Sequence, residues 1–310
     1  MFEGLSFNMN FLNTYVRKLS FQDKDFINYF YRKSGAELGY NSFTGTLSIA
    51  HGHGNEVYLK SLEDSLFYIE VSPEDNSRNL IPIFLGSQLK SRIGKVKEYI
   101  HDEKIDSVSY IDRSFVRDLS TVLSLKPDSD SEHEAICPIE RFRDFKGIDS
   151  HNSPKRQANI FFRNNDYSFS LYNPKNDGSI IKLIENWEKE SPHPTDGCDL
   201  RITNFFIKNF DNLGIIGFNL LVGGEIAAYT FGEKINHKTF IPYTMKANRK
   251  YQGVYQAFWN LICSHPILRD VDFINNTNLT DIPSLRESKL RLKPEKMVIP
   301  WVAELPNKNL

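Results

Sequence analysis

Apolar positions along the chain fall into two successive series of elements. From Phe21 to Lys33, the residues Phe21, Phe26, Ile27, Phe30 and Tyr31 recur at helical spacing and predict a surface helix. The next stretch, GAELGYNSFTGTLSIAHGHGN, is rich in Gly, Ser, Thr and Asn, which predicts loops and short helical turns. Three strand-like runs follow at 56–63, 65–73 and 79–87 and suggest an antiparallel meander, with Pro82 arguing against a fully paired central place for the third. Leu89, Ile93, Val96 and Ile100 then mark a helix over 87–104, and 105–112 reads as a strand. The stretch 125–136, LKPDSDSEHEAI, is acidic and reads as an exposed excursion.

The second series is more clearly punctuated. Residues 166–174 alternate as a strand, and 179–190 form a helix with Ile181, Ile184 and Trp187 on one face. After the breaker SPHPTDG, a helix ends at Gly214, where a C-cap is favoured. A hairpin turns at Gly223 and Gly224, a strand runs over 238–247, and a helix presents Val254, Ala257, Phe258, Leu261 and Ile262 to the core. A strand at 270–275 and a helix at 281–292 follow, the latter with Asp281 as expected cap and Pro283 in its first turn. The run 296–305 is expected to close the sheet.

A length of 310 residues favours two domains, and 40% hydrophobic against 25% charged residues fits a globular chain able to bury a core. The expected division is 1–150, a connector at 151–165, and 166–310. A formal net charge of −1 confines any nucleic-acid contact to a local patch. Such a patch is offered by the basic residues between Pro138 and Asn165, among them Lys155, Arg156 and Arg163, interleaved with Phe142, Phe145, Phe161 and Phe162. The same composition describes an amphipathic connector with phenylalanines inward and cations in water. No apolar run is long enough for an integral membrane segment, and the first twenty residues do not read as a signal peptide, so a cytoplasmic location is expected. Cys137, Cys198 and Cys263 suit reduced thiols. His51 and His53, flanked by glycines, lack a third ligand at suitable spacing, so no metal is expected.

Candidate chemistry gathers between Tyr243 and Pro294. Arg249, Lys250, Tyr251, Gln252 and Gly253 form a basic loop opening a helix, where unpaired N–H groups favour phosphate or another anion. Two helices, a three-strand antiparallel meander, a helix, a strand, a helix and a final strand is the order of the GCN5-related N-acetyltransferase (GNAT) fold.

The stretch VDFINNTNLTDIPSLRESKLRLKP resembles a bacterial family related to the C-terminal cytosolic domain of phosphatidylglycerol lysyltransferases. Asn275, Asn278, Leu285, Arg286, Lys289 and Pro294 carry the resemblance; KANRKYQGVYQAFWNLI and SPKRQANIFFRN match the family's loop, helix and basic connector. The resemblance implies an α+β chain of two tandem GNAT-like domains, each a mostly antiparallel mixed sheet flanked by helices, the first degenerate. It also implies an acyl- or aminoacyltransferase with its donor cleft in the second domain, using acyl-CoA or a charged aminoacyl-tRNA as donor and no covalently bound cofactor. The acceptor would be a small amine, a peptide or a lipid head group.

Transfer requires a deprotonated nucleophile and a stabilised oxyanion. Lys289 and Arg286, three apart on one helical face, are candidates to direct positive charge at that oxyanion, or else belong to a solvated face with local ion pairs such as Glu287 or Glu295. Asn275 and Asn278 are candidates to position the donor carbonyl. Some positions depart from the family pattern. Tyr255 is bulky where a small residue lets a pyrophosphate approach, Asn278 stands at a usually acidic position, and the last helix has no tyrosine to protonate a departing thiolate. These departures leave open a non-catalytic binding or regulatory module on the same scaffold.

Overall fold

The computed structural model describes residues 16–148 and 154–305. The reading of the N-terminus as lacking a leader falls largely outside them, as do connector residues 151–153.

The chain forms two units. One runs to Ala50 and adds Gly54–Asp128 and the residues from Pro300; the other comprises His51–His53 and Ser129–Ile299. The division thus falls at Asp128 rather than at residue 150, and residues 300–305 return to the first unit. The reason lies in the segment read as an exposed acidic excursion. It contains a strand whose Glu134, Ala135 and Cys137 are completely buried and which pairs on both sides within the second unit.

The first unit is built on a five-stranded sheet. Val16–Lys18 (β1), Glu56–Leu62 (β2), Ser65–Val71 (β3) and Arg78–Phe84 (β4) follow one another antiparallel, and Ser107–Val108 (β5) pairs parallel to β4. Lys24–Ser34 (α1) buries Ile27, Phe30 and Tyr31 and stops at Gly35, whose φ of 70° suits a glycine cap. Phe43–His53 (α2) is a full helix where loops and short turns were expected. Nearly every residue from Phe43 to Ala50 is buried, so surroundings rather than propensity or an amphipathic stripe specify it.

The expected single helix over 87–104 is broken into Ser87–Ser91 (α3) and Gly94–Asp102 (α4) at Arg92, whose φ is −129°. Leu89, Val96 and Ile100 still reach the core, with Phe67, Leu80 and Val108. Arg113–Leu119 (α5) is capped by Asp112, and Ser124–Pro127 (β6) pairs with the last strand of the chain, Trp301–Glu304 (β14).

Pro82 lies in a strand that is interior by order, but the ladder accommodates it. The register with β3 shifts beside it, and β5 pairs only with Asn79 and Leu80. Beyond Leu80, β4 and the chain after β5 part, and Asn41 fills the gap. Its Nδ2 donates to the Tyr110 carbonyl at 2.8 Å and to the Pro82 carbonyl at 3.4 Å.

The second unit carries a seven-stranded sheet. In chain order its elements are Glu134–Pro138 (β7), Glu140–Arg143 (α6), Pro154–Asn164 (α7), Tyr167–Leu171 (β8), Asp177–Glu190 (α8) and Cys198–Leu213 (α9). Then come Ile216–Val222 (β9), Glu225–Lys234 (β10), Thr239–Ala247 (β11), Val254–Ser264 (α10), Phe273–Asn278 (β12), Pro283–Arg291 (α11) and Lys296–Val298 (β13). The strand order is β13-β7-β12-β11-β10-β9-β8; β11 and β12 are parallel and all other pairs antiparallel.

The connector proves to be part of this unit. Its Phe161, and Phe142 ahead of it, sit in the core with Phe218, Phe240, Phe258 and Ile274. Three local expectations shift. The buried face of α8 is Ile180, Leu183 and Ile184, with Trp187 half-buried. Ile282, not Asp281, precedes α11, and no side chain caps it. The closing run divides at Pro300, so β13 joins β7 while β14 joins β6.

Candidate functional site

The site follows from an interrupted ladder. β11 runs to Ala247 and β12 to Asn278, yet they pair only at Thr239 with Phe273 and at Phe240 with Ile274. Their C-terminal halves diverge and leave an opening lined by strand ends. On the other side of β12, the register with β7 breaks between Asn275 and Asn278. Thr277 within this bulge has φ of 56°. A β-branched residue in the left-handed region is strained by about 1–3 kcal/mol, and such strain concentrates at functional sites.

Side chains around the bulge form one network. Asn275 is completely buried; its Nδ2 donates to Glu134 Oε2 at 2.5 Å, and its Oδ1 accepts from the Thr277 amide at 2.9 Å. Lys289, on α11, donates from Nζ to Thr277 Oγ1 at 3.1 Å and to the Asn278 carbonyl at 2.5 Å. The lysine stem is partly exposed while its ammonium end is enclosed. Burial, and secondarily the positive charge of Lys246, lower its pKa to about 8, against the opposing pull of Cys137 and Glu134. Arg286 lies to one side, paired with Asp130 at 3.1 Å rather than with Glu287 or Glu295. Asn278 Nδ2 is 3.5 Å from Glu132, at the outer limit of a hydrogen bond. Asn275, Asn278 and Lys289 are therefore brought together, and Arg286 borders them.

The loop before α10 is arranged differently from a simple anion cradle. Gly253 caps the helix with φ of 80°, and a Cβ there would stand 2.0 Å from the Gln157 carbonyl oxygen of α7. Packing against α7 thus dictates glycine. The Tyr255 hydroxyl accepts from the Ala247 amide at 3.2 Å, taking up a main-chain donor at the end of β11. Gln252 Nε2 is 3.4 Å from Gln157 Oε1, and the Tyr251 ring lies edge-on to Phe161, their centroids 6.5 Å apart. The cations turn the other way: Arg249 lies over the Trp187 ring at 5.2 Å, and Lys250 is 3.6 Å from Glu225. There they border a cleft of about 310 Å³ between α8 and the β9–β10 turn. Lys155 and Arg156 are exposed on the turn of α7 beside Gln157, and Arg163 is exposed roughly 10 Å farther along the helix.

Sequence reasoning missed Glu134, Thr277, Lys246 and Trp187. Lys246 pairs with Asp199 at 2.6 Å and covers the Trp187 ring at 4.0 Å. For Glu134 the usable signal was a carboxylate opening the short apolar run EAICP.

Burial raises the pKa of Cys137 to about 12 and pushes the Cys198 and Cys263 thiols up, so none is a ready thiolate. His51 stacks on Phe205 with centroids 4.1 Å apart, and the described residues hold no cluster of three or more metal-ligating side chains. Among the described residues, no helix is long and apolar enough to cross a membrane.

The meander of β9–β11, the crossover through α10 to a parallel β12 and the opening between β11 and β12 define a GNAT-like transferase fold, repeated in abbreviated form in the first unit. The chain belongs to the family described as phosphatidylglycerol lysyltransferase, C-terminal, whose model matches residues 80–303. Among solved structures it is similar to a conserved protein of unknown function from Bacteroides thetaiotaomicron VPI-5482. That match has TM-score 0.79 and 22% identity and covers 94% of this chain and 100% of that one. It also resembles L-PGS from Bacillus licheniformis, with TM-score 0.62, 12% identity and 93% of each chain covered. FemX matches with TM-score 0.61 and 7% identity, over 95% of this chain and 98% of that one. No curated protein sequence matches the chain.

Proposed function

We propose that the second unit transfers an aminoacyl group from a charged tRNA to an amine or hydroxyl acceptor, at the opening between β11 and β12. The observation that carries this reading is the Lys289 ammonium, enclosed at the edge of that opening against Thr277 and the Asn278 carbonyl. In the reaction the acceptor oxygen or nitrogen attacks the ester carbonyl carbon and gives up its proton. The bond to the terminal ribose oxygen breaks, and that oxygen takes a proton. With its pKa lowered to about 8, Lys289 is mostly charged at neutral pH and suited to stabilise the intermediate oxyanion. Asn275 and Glu134 hold the bulge whose Thr277 hydroxyl and Asn278 carbonyl accept from Lys289.

Two features favour tRNA over acyl-CoA as donor. The Ala247 amide is occupied by Tyr255, so an extended thioester arm loses a main-chain contact it would use. Exposed Lys155 and Arg156 beside the loop suit a nucleic-acid backbone instead. The family's description, a phosphatidylglycerol lysyltransferase, agrees with aminoacyl transfer and makes a lipid head group one candidate acceptor.

The test is tRNA affinity as a function of salt. Affinity should fall steeply with salt and drop in Lys155→Ala/Arg156→Ala; unchanged affinity in that variant, or saturable acetyl-CoA binding by calorimetry without tRNA binding, would sink the tRNA version. The reading of the chain as a non-catalytic module draws on one observation: Lys289 already has two hydrogen-bond acceptors. Absence of transfer with a bound charged tRNA would favour it.

A further inference from the structure

The cleft between α8 and the β9–β10 turn takes no part in the chemistry above, yet its lining is that of a ligand site. Its volume, about 310 Å³, lies at the lower end of the range for small-molecule pockets. Lys182 and Arg249 both border it, both are exposed, and neither forms an ion pair among the described residues. Lys250, by contrast, is offset by Glu225. Arg249 is held in place by the face of Trp187, and the opposed wall of α8 presents the exposed Asn186 amide, which both donates and accepts.

Two uncompensated cations and a free amide supply what a nucleotide needs: charge for phosphate and a hydrogen-bonding group for the base. Position adds to composition. Ala247, the last residue of β11, borders this cleft, and its strand edges the opening where Lys289 sits. A ribose held here would present its ester toward that opening.

We propose that this cleft binds the terminal adenine nucleotide of the donor, with Lys182 and Arg249 on its phosphodiester and the one before it and Asn186 at the base edge. This deepens the reading given under Proposed function and rests on it for the identity of the donor. An adenine nucleotide has two sources here, the 3′ end of tRNA and coenzyme A, and the experiment separates them.

The experiment measures binding of a cytidylyl-cytidylyl-adenosine trinucleotide, of coenzyme A and of intact tRNA to the full chain, with thermal melting as a control for folding. The trinucleotide should bind wild type at least tenfold more tightly than Lys182→Ala/Arg249→Ala, and the slope of log affinity against log salt should shrink by about 1.4 in that variant. Asn186→Leu should reduce discrimination between trinucleotides ending in adenosine and in uridine without changing the salt slope. Lys155→Ala/Arg156→Ala should weaken intact tRNA and leave the trinucleotide unaffected.

Equal trinucleotide and coenzyme A affinities in wild type and in Lys182→Ala/Arg249→Ala would overturn the cleft assignment, while tRNA binding sensitive to Lys155 and Arg156 would leave the functional reading standing. Coenzyme A binding that is lost in Lys182→Ala/Arg249→Ala, with no binding of trinucleotide or tRNA, would uphold the cleft and replace the donor.

Discussion

The Gln157 carbonyl oxygen lies 2.0 Å from where a Cβ of residue 253 would stand, so α7 and the start of α10 meet through the absence of a side chain. Gly253→Ala should therefore destabilise the second unit by about 2–4 kcal/mol, from the left-handed backbone and the overpacked contact together. A denaturant titration checks this. A variant such as Gly253→Asp would damage packing as well as any anion contact, so loss of ligand binding in it would not by itself implicate a phosphate.

Lys289 should make stability depend on pH in a defined direction. The unfolded lysine keeps its proton up to the ordinary value of 10.5, whereas the folded one releases it near 8. Between those values the unfolded chain binds more protons, so this group's contribution to stability rises with pH. The destabilisation is full below about pH 8 and gone above about 10.5. Relative to wild type, Lys289→Met should lose on the order of 2–3 kcal/mol of stability between pH 7 and 10.5. Chemical denaturation at several pH values measures the difference. Transfer activity should fall in the same variant.

Asn275 and Glu134 should be strongly coupled. Asn275→Leu removes a donor from a completely buried carboxylate and should cost about 3 kcal/mol. Glu134→Leu/Asn275→Leu should recover part of that loss, and a double-mutant cycle by thermal melting reads the coupling directly.

Arg286→Ala should change stability by no more than about 0.5 kcal/mol, because its bond to Asp130 lies at the surface, with side-chain exposures of 32% and 72%. Any large fall in transfer rate for this variant then reports on function rather than folding.

Most elements of the second unit were legible in the sequence because each carried a local signal: the Gly223–Gly224 turn, Gly214 after α9, the helical spacing of Val254, Ala257, Phe258 and Ile262. The elements that escaped were specified by their neighbours. α2 has no polar face to give it a period, since its surroundings cover it almost all round. β7 is short and begins at a buried Glu134 whose partner, Asn275, is 141 positions away, so nothing local distinguishes it from an acidic loop. The site divided along the same line. Asn275, Asn278 and Lys289 lie close together in sequence and stood out as a motif, whereas Lys246, Trp187 and Glu134 join them only through the sheet.

The first unit shows what becomes of the same opening when the chain fills it. Asn41 bridges the Pro82 and Tyr110 carbonyls across the gap beyond β5. A tethered side chain competes at an effective concentration that a diffusing ligand does not reach. That half of the molecule is in this sense permanently self-liganded.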